Sequence, residues 1–268
     1  NITKDLYIIA RGTFTYAHNE YTKYEDQVYK TEWWKSKIGY PTRQQWGYIA
    51  EGLFIDDAEV ANSPTQFGDY KAGDIKYRDM NGDGVINSLD QVPIGYPDSP
   101  EINYGFGATI GYKGFDFNFQ FQGSARSSFW INYNKVSPFF NRISSLVSGK
   151  QGNTQLAQFI ADSYWSESNK DRYAVWPRLS TQSITNNNQT STWFMRDGSF
   201  LRLKLVEAGY TFPEKITKKM GLSNLRVYAS ATNVFLLSKF DLWDVEKAGD
   251  GLGYPLQRVV NIGLNLAC

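Results

Sequence analysis

The sequence predicts an all-β protein, an antiparallel up-and-down run of about six strands joined by alternately short and long connections. Three observations predict it. Apolar and polar residues alternate with a period of two along several stretches, the periodicity of a strand with two different faces. Aromatic and glycine residues are abundant, with 17 Phe, 18 Tyr, 8 Trp and 23 Gly, which suits pleated surfaces that meet water at one boundary. No stretch of about 18 apolar residues occurs, so no transmembrane helix is expected.

The first strand is expected over 5–17, DLYIIARGTFTYA. A hairpin follows at 104–123. Tyr104, Phe106, Ala108, Ile110 and Tyr112 share one parity, and Phe115, Phe117, Phe119 and Phe121 continue it beyond Lys113-Gly114. A two-residue loop at Lys113-Gly114, with glycine free to take positive φ, pairs Tyr112 with Phe115, Ile110 with Phe117, Ala108 with Phe119 and Phe106 with Phe121. The opposite face then pairs Gly111 with Asp116, Thr109 with Asn118 and Gly107 with Gln120. One side is apolar, the other small or polar. A fourth strand runs through 193–212. Leu201, Leu203 and Leu205 alternate with Arg202 and Lys204, and the apolar parity then moves to Val206, Ala208, Tyr210 and Phe212, which predicts a bulge near Val206-Glu207. Strands over 224–236 (Leu225, Val227, Ala229, Ala231) and 257–268 (Val260, Ile262, Leu264, Leu266) complete the set.

An apolar-in, polar-out hairpin suits either a soluble sandwich or a membrane barrel. The connections separate the two. Lys113-Gly114 and Pro213–Ser223 are short, whereas 18–101, 132–191 and 237–256 are long and rich in Trp, Tyr, Asn and Ser. Tight periplasmic turns alternating with long extracellular loops are the habit of outer-membrane barrels. Average hydropathy does not argue against this, because lipid-facing and lumen-facing residues cancel along each strand. About six strands are fewer than the roughly eight of the smallest single-chain bacterial barrels. An open sheet would also leave two unpaired edges in hydrocarbon. The expected architecture is therefore a segment of a larger barrel wall, with 1–268 as its C-terminal segment, completed by an upstream portion or by a partner chain. No signal peptide opens the chain, and its start looks internal to something longer.

Composition removes other classes. Lys plus Arg number 28 against 27 Asp plus Glu, giving +1 and no basic stripe for nucleic acid. One cysteine, Cys268, and one histidine, His18, rule out an internal disulfide framework and a His- or Cys-rich metal centre. No catalytic set is found, and Ser199 within RDGS lacks the flanks of a nucleophile elbow. No enzyme is expected.

One motif carries metal chemistry. DMNGDGVINSLD, 79–90, fits a twelve-residue calcium loop within the first long connection. Asp79, Asn81 and Asp83 stand at positions one, three and five and Gly84 at six. Val85 offers a carbonyl, Asn87 a ligand directly or through water, and Asp90 stands at twelve. A hard cation such as Ca²⁺ wants several oxygens, and this spacing wraps them round one point. Asp in place of Glu at position twelve shortens the reach. No amphipathic helix precedes the loop, so it is dockerin-like and its role structural. The plain alternative is a polar Asn-Gly-Asp-Gly turn. The tryptophans, Trp33, Trp34, Trp46, Trp130, Trp165, Trp176, Trp193 and Trp243, fall mainly in loops or near strand ends. Loop packing or an interfacial girdle is the expected role of each, ahead of stacking on sugar rings. Arg202 and Lys204 are expected to point into the lumen and to meet plug carboxylates, or less often a substrate.

Two stretches, 73–124 and 194–213 continuing through GLSNLRVYASATNVFLLSKF to Phe240, together with GYP at 253–255 and the closing strand, resemble the SusC/RagA family of TonB-dependent transporters. The resemblance spans most of the chain and implies a barrel of roughly 22 strands with an N-terminal plug. Its implied partners are a SusD-like surface lipoprotein, TonB through the missing N-terminal region, the remainder of the barrel and outer-membrane lipid. The implied cargo is an oligosaccharide or a peptide, and the implied location the bacterial outer membrane. Three departures stand out: the plug and TonB-contacting region are not in this sequence, the last residue is Cys268 where the family ends in an aromatic, and Asp244-Val245-Glu246 replaces Asp-Pro-Glu. The reading from a different class is a soluble, calcium-stabilised β-sandwich that binds carbohydrate.

Overall fold

A computed structural model of the chain describes residues 5–25, 27–29, 31–139, 155–251 and 253–267. Cys268 lies outside them. Six long strands, β1 (Leu6–Tyr16), β2 (Ile102–Tyr112), β3 (Phe115–Ala125), β4 (Phe200–Thr211), β5 (Asn224–Ser238) and β6 (Val259–Ala267), form one antiparallel sheet in sequence order. The β2–β3 hairpin has the register the side-chain parity predicts, from Tyr112 opposite Phe115 to Phe106 opposite Phe121. Its loop residues Lys113 and Gly114 both have positive φ, 47° and 87°, as a two-residue turn matching the right-handed strand twist demands. The other short connection winds through helical turns at Glu214–Thr217 and Lys218–Met220. Both short connections lie at one end of the sheet, and all three long ones leave from the other.

Pairing carries the period-two pattern from strand to strand. Ile8, Ile110, Phe117, Ala208, Ala229 and Ile262 lie in one row across all six strands, and Leu6, Tyr112, Phe115, Tyr210, Val227 and Leu264 lie in the next. The bulge expected at Val206-Glu207 lies earlier, at Lys204. Leu203 pairs with Phe121 and Leu205 with the next residue, Gln120, so Lys204 is the extra residue. Leu205 therefore falls on the polar face opposite Gln120 and Thr232, which breaks the Leu201/Leu203/Leu205 alternation. The phenylalanine parity of β3 imposes this, since Phe119 and Phe121 need Val206 and Leu203 beside them. A compensating shift in β5 places Asn233 at φ 52°.

The apolar face is bare. Phe14 is 69 % exposed, Phe115 63 % and Ile262 83 %, although phenylalanine and isoleucine are among the residues most often inside. A soluble sandwich would cover this face with a second sheet, and the remaining described strands are only two-stranded ribbons of two to four residues. The sandwich alternative is overturned. Eleven residues of β2 rise about 34 Å along the strand, or about 26 Å along the normal at a tilt of about 40°, which matches the roughly 25 Å apolar band of a barrel.

The buried core lies elsewhere, in the long connections. Leu53, Ile75, Tyr77, Phe129, Ile131, Val136, Ile160, Trp165, Trp176 and Phe194 form one cluster and are nearly or fully buried. Short ribbons pair 46–47 with 92–93, 50–53 with 75–77, and 128–130 with 195–197. The loops thus build a folded cap at one end of the sheet, a level of order that loop composition does not announce.

Candidate functional site

The candidate site is the polar face of the sheet together with the cap above it. On the polar face, Arg226 of β5 crosses Gly209 of β4 to reach Asp116 of β3, donating from Nε to Oδ2 at 3.0 Å, and also donates to Glu207 Oε1 at 2.7 Å. A Cβ on Gly209 would stand 2.5 Å from that guanidinium, so a larger residue there would make the arginine tip shift off this path. Tyr7 lies across Gly111 in the same way, 2.0 Å from where a Cβ would stand. Arg11 donates to Thr109 Oγ1 at 2.9 Å, and Asn118 and Gln120 line the same dent in the wall.

Arg202 does lie on this face, opposite Gln122, but its charge is met within the chain. Nη2 donates to Asp244 Oδ1 and Oδ2 at 2.6 and 2.7 Å, and Nε stands 2.6 Å from Glu246 Oε2. Arg202 is therefore held in an intrachain clamp. The cause is the connection after β5, which folds back over the inner face and places both carboxylates, two residues apart, against one guanidinium. The clamp uses Asp244 and Glu246, the two residues of Asp244-Val245-Glu246 that keep the Asp-Pro-Glu pattern, and Val245, the residue that departs from it, is buried between them. Lys204 is taken up in the bulge.

In the cap a buried polar network joins the first and second long connections. Asn186 and Asn187 are both fully buried. Asn186 Nδ2 donates to Ile75 C=O at 2.7 Å, and Asn187 accepts from Ile75 N–H at 2.9 Å and donates to Asp74 Oδ1 at 2.8 Å. Gln66 donates to Asn186 Oδ1 at 2.8 Å and accepts from Tyr77 N–H at 2.7 Å. Burial pushes the Asp74 carboxyl up from the ordinary range, against Arg178, the Lys71 N–H and Asn187. Nearer the surface, Glu59 has the opposite balance. Partial burial raises it, but the Arg172 fork at 2.8 and 3.1 Å, the Ile55 N–H and Lys76 bring it down to about 2. Sequence alone offered no signal for this network, because its members stand more than a hundred residues apart.

The calcium-type loop is a set of Asx turns. Asp79 accepts from Gly82 and Gly84 N–H at 2.7 and 2.8 Å, Asn81 from Asp83 N–H at 3.1 Å, and Asp83 from Val85 N–H at 2.9 Å. Gly82 and Gly84 have φ of 76° and 82°. Asp90 is fully buried, accepting from Met80 and Asn87 N–H at 2.8 Å each, while Asn87 accepts from Leu89 N–H. Among the described residues no group of three His, Cys, Asp or Glu side chains converges as a metal cage. Asp79 and Asn81 are half-buried and Asp83 and Val85 exposed, and the Val85 carbonyl accepts from Asn87 Nδ2 at 3.2 Å.

The tryptophans serve the cap. Trp165 and Trp176 are in its core. The indole N–H of Trp34 donates to Leu89 C=O, that of Trp130 to Ser191 C=O and that of Trp243 to Ala248 C=O. Trp46 packs edge-on against Tyr40, Trp193 against the core cluster, and Trp33 is left 71 % exposed. A cleft of about 450 Å³ opens in the cap, lined among others by Phe159, Asp162, Asp241, Leu242 and Trp243.

No protein-family model matches the chain. Its sequence is 34 % identical over 207 residues to TonB-dependent receptor P26 of Formosa agariphila, covering 72 % of this chain and 19 % of that protein. It is 29 % identical to TonB-dependent receptor SusC of Bacteroides thetaiotaomicron, covering 99 % of this chain and 25 % of that one. Among solved structures, that of the RagAB peptide transporter superposes with a TM-score of 0.65 at 20 % identity, over 98 % of this chain and 27 % of that chain, a likeness of fold. The chain thus spans about a fifth to a quarter of the length of the relatives it matches. With its bare apolar face, polar inner face and one-sided cap, the chain belongs to the SusC/RagA-like TonB-dependent receptors of the bacterial outer membrane.

Proposed function

We propose that the chain is the C-terminal wall and part of the extracellular mouth of a TonB-dependent importer of oligosaccharides or peptides. The observation that carries this reading is the division of labour in one sheet: phenylalanines toward hydrocarbon, amides and paired charges toward an aqueous bore, and every long connection gathered into a folded cap at one end. In lipid the free edges of β1 and β6 would each expose a row of unpaired backbone groups, so upstream strands of the same receptor complete the barrel. A SusD-like surface lipoprotein would meet the cap, and energy would arrive through TonB at a region this sequence does not include. The cap supplies selectivity, since its loops carry the cleft and the exposed aromatics. The wall is a conduit, not a catalyst. Calcium in the 79–90 loop would be structural, held by Asp79, Asn81, Asp83 and the Val85 carbonyl, with Asn87 beside them and Asp90 bracing the loop from beneath.

Cell fractionation combined with growth tests this reading. The full-length protein should require detergent for extraction and sit in the outer-membrane fraction. Its deletion should abolish growth on at least one oligosaccharide or peptide source, with recovery on complementation. Recovery of the protein in the aqueous fraction, or unimpaired growth across the panel, would sink it.

A further inference from the structure

The two short connections stand side by side at one end of the sheet. Thr211 N–H donates to Gly114 C=O at 2.7 Å, which sets the Lys113-Gly114 turn against the start of the 213–223 connection. That connection winds through Glu214–Thr217 and Lys218–Met220 and stops at Gly221, whose φ of 72° ends the helical turns. Thr217 is its buried residue. Ile216 and Met220, four positions apart, share one side of the turns and are left bare, 47 % and 60 % exposed. Lys215 and Lys219, also four apart and exposed, share the adjoining side.

The last aromatic row of the apolar face runs up to this rim. The rings of Phe115 and Tyr210 are 4.4 Å apart between centroids, and those of Tyr210 and Phe212 5.1 Å. Lys113 belongs to the same surface. Its Nζ lies 5.2 Å from the ring centroid of Tyr112, which stands opposite Phe115 in that row, so its ammonium sits at the edge of the apolar face and not over the bore. The carboxylates nearby are mostly committed elsewhere. Glu214 pairs with Lys218 at 2.8 Å, and Asp116 turns inward to Arg226. Asp5 adds one further carboxylate at this end. Among the described residues, Lys113, Lys215 and Lys219 form no salt bridge with any of them.

We propose that this rim is a docking surface for an anionic phospholipid, with Ile216 and Met220 against the upper acyl carbons and Lys113, Lys215 and Lys219 on the phosphate headgroup. It rests on the reading that the apolar face meets hydrocarbon. Continuity with that face puts the three ammonium groups at headgroup level, where the apolar band of a barrel gives way to its aromatic girdle. A lysine stem lies along apolar surface while its charged tip reaches the polar layer. A zwitterionic lipid brings its own cation to the phosphate, whereas an anionic one leaves its charge for the lysines. Each basic residue near an anionic surface is worth about a fivefold preference. A lipid held here bridges the β2–β3 turn and the β4–β5 connection, and so fixes the depth of this part of the wall.

Lipid retention by the full-length receptor tests this. Receptor from vesicles of equal parts phosphatidylglycerol and phosphatidylcholine is taken into nonionic detergent, and native mass spectrometry counts the lipids that stay bound. Wild type should retain phosphatidylglycerol over phosphatidylcholine by at least about fivefold, and high salt should reduce that preference. K113Q/K215Q/K219Q should lose it and K113R/K215R/K219R should keep it. Inorganic phosphate should not displace the lipid, because it has no chains for Ile216 and Met220 to hold. Equal retention of the two lipids by wild type, an unchanged preference in the glutamine variant, or displacement by phosphate overturns the proposal. The wild-type comparison stands even where the glutamine variant fails to assemble. A wild-type receptor that retains neither lipid would overturn the hydrocarbon-facing reading along with it.

Discussion

Arg202 on the inner face of β4 is clamped by Asp244 from the connection after β5, at 2.6 and 2.7 Å, with the arginine side chain only 4 % exposed. A buried guanidinium that loses its partners is costly, and so are two carboxylates that lose a buried cation. R202M should therefore destabilise the anchoring of 237–256 by about 3 kcal/mol, within the range for breaking one side of a buried pair. Limited proteolysis of receptor in membranes should cut within that connection in the variant and spare it in wild type. D244N should cost less, because Glu246 keeps its contact at 2.6 Å. Equal protease resistance in wild type and R202M would show that the clamp does not hold the loop.

The two faces of β3 should respond oppositely to charge. Phe117 lies mid-strand on the bare apolar face between Ile110 and Ala208, and its neighbour Asn118 faces the bore between Thr109 and Glu207. F117K should cost about 2–4 kcal/mol and reduce assembly into the outer membrane, the price of a cation at the bilayer midplane. N118K should assemble normally and gain a carboxylate neighbour in Glu207. Heat-modifiable mobility on gels distinguishes assembled from unassembled protein, and equal assembly of the two variants would contradict the assignment of faces.

Glu59 supplies a pH dependence confined to the cap. Its carboxyl is held at about 2 in the folded state against an ordinary value of 4.5. Because the folded value is depressed, the stabilisation is present above the ordinary carboxylate range and is lost as pH falls from about 5 toward 2. The contribution is at most roughly 3 kcal/mol, and solvent screening at a partly exposed site reduces it. The cap should loosen in acid before the sheet does, and E59Q should loosen it at neutral pH. Exchange protection of 50–60, followed against β4 as a reference, measures the difference.

Calcium should act on 79–90 and not on the wall. Terbium luminescence on the full-length receptor should report binding that calcium displaces, and D83N, which removes one exposed carboxylate, should weaken it at least tenfold. A chelator should lower exchange protection of 79–90 while leaving β1 to β6 unchanged. Luminescence identical in wild type and D83N would leave the loop a set of Asx turns.

Most of the wall is legible in the sequence, because strand periodicity is local and each residue declares its face to its neighbours two positions away. The β2–β3 hairpin matches the expected register at every pair named, since Lys113-Gly114 leaves no second way to join the two phenylalanine and tyrosine parities. The bulge lies earlier than side-chain parity predicts because Leu205 carries no mark of its own; only pairing with Gln120 and Thr232 shows that it faces the bore. Asp244 and Glu246 stand out in the sequence only as part of a family-like tripeptide, and their pairing depends on an arginine 42 residues from Asp244.

By itself the sequence determined how many long strands the wall has, which side of each is apolar, and which connections are long, because all three follow from alternation and turn chemistry along the chain. Tertiary structure alone decided that the long connections fold into a cap with a core of its own, that Asn186 and Asn187 satisfy the backbone of Ile75, and that Glu101 gathers three strand ends around His18 and Arg126. Those contacts join residues tens to more than a hundred positions apart, and no local periodicity encodes which distant polar groups will share a buried site.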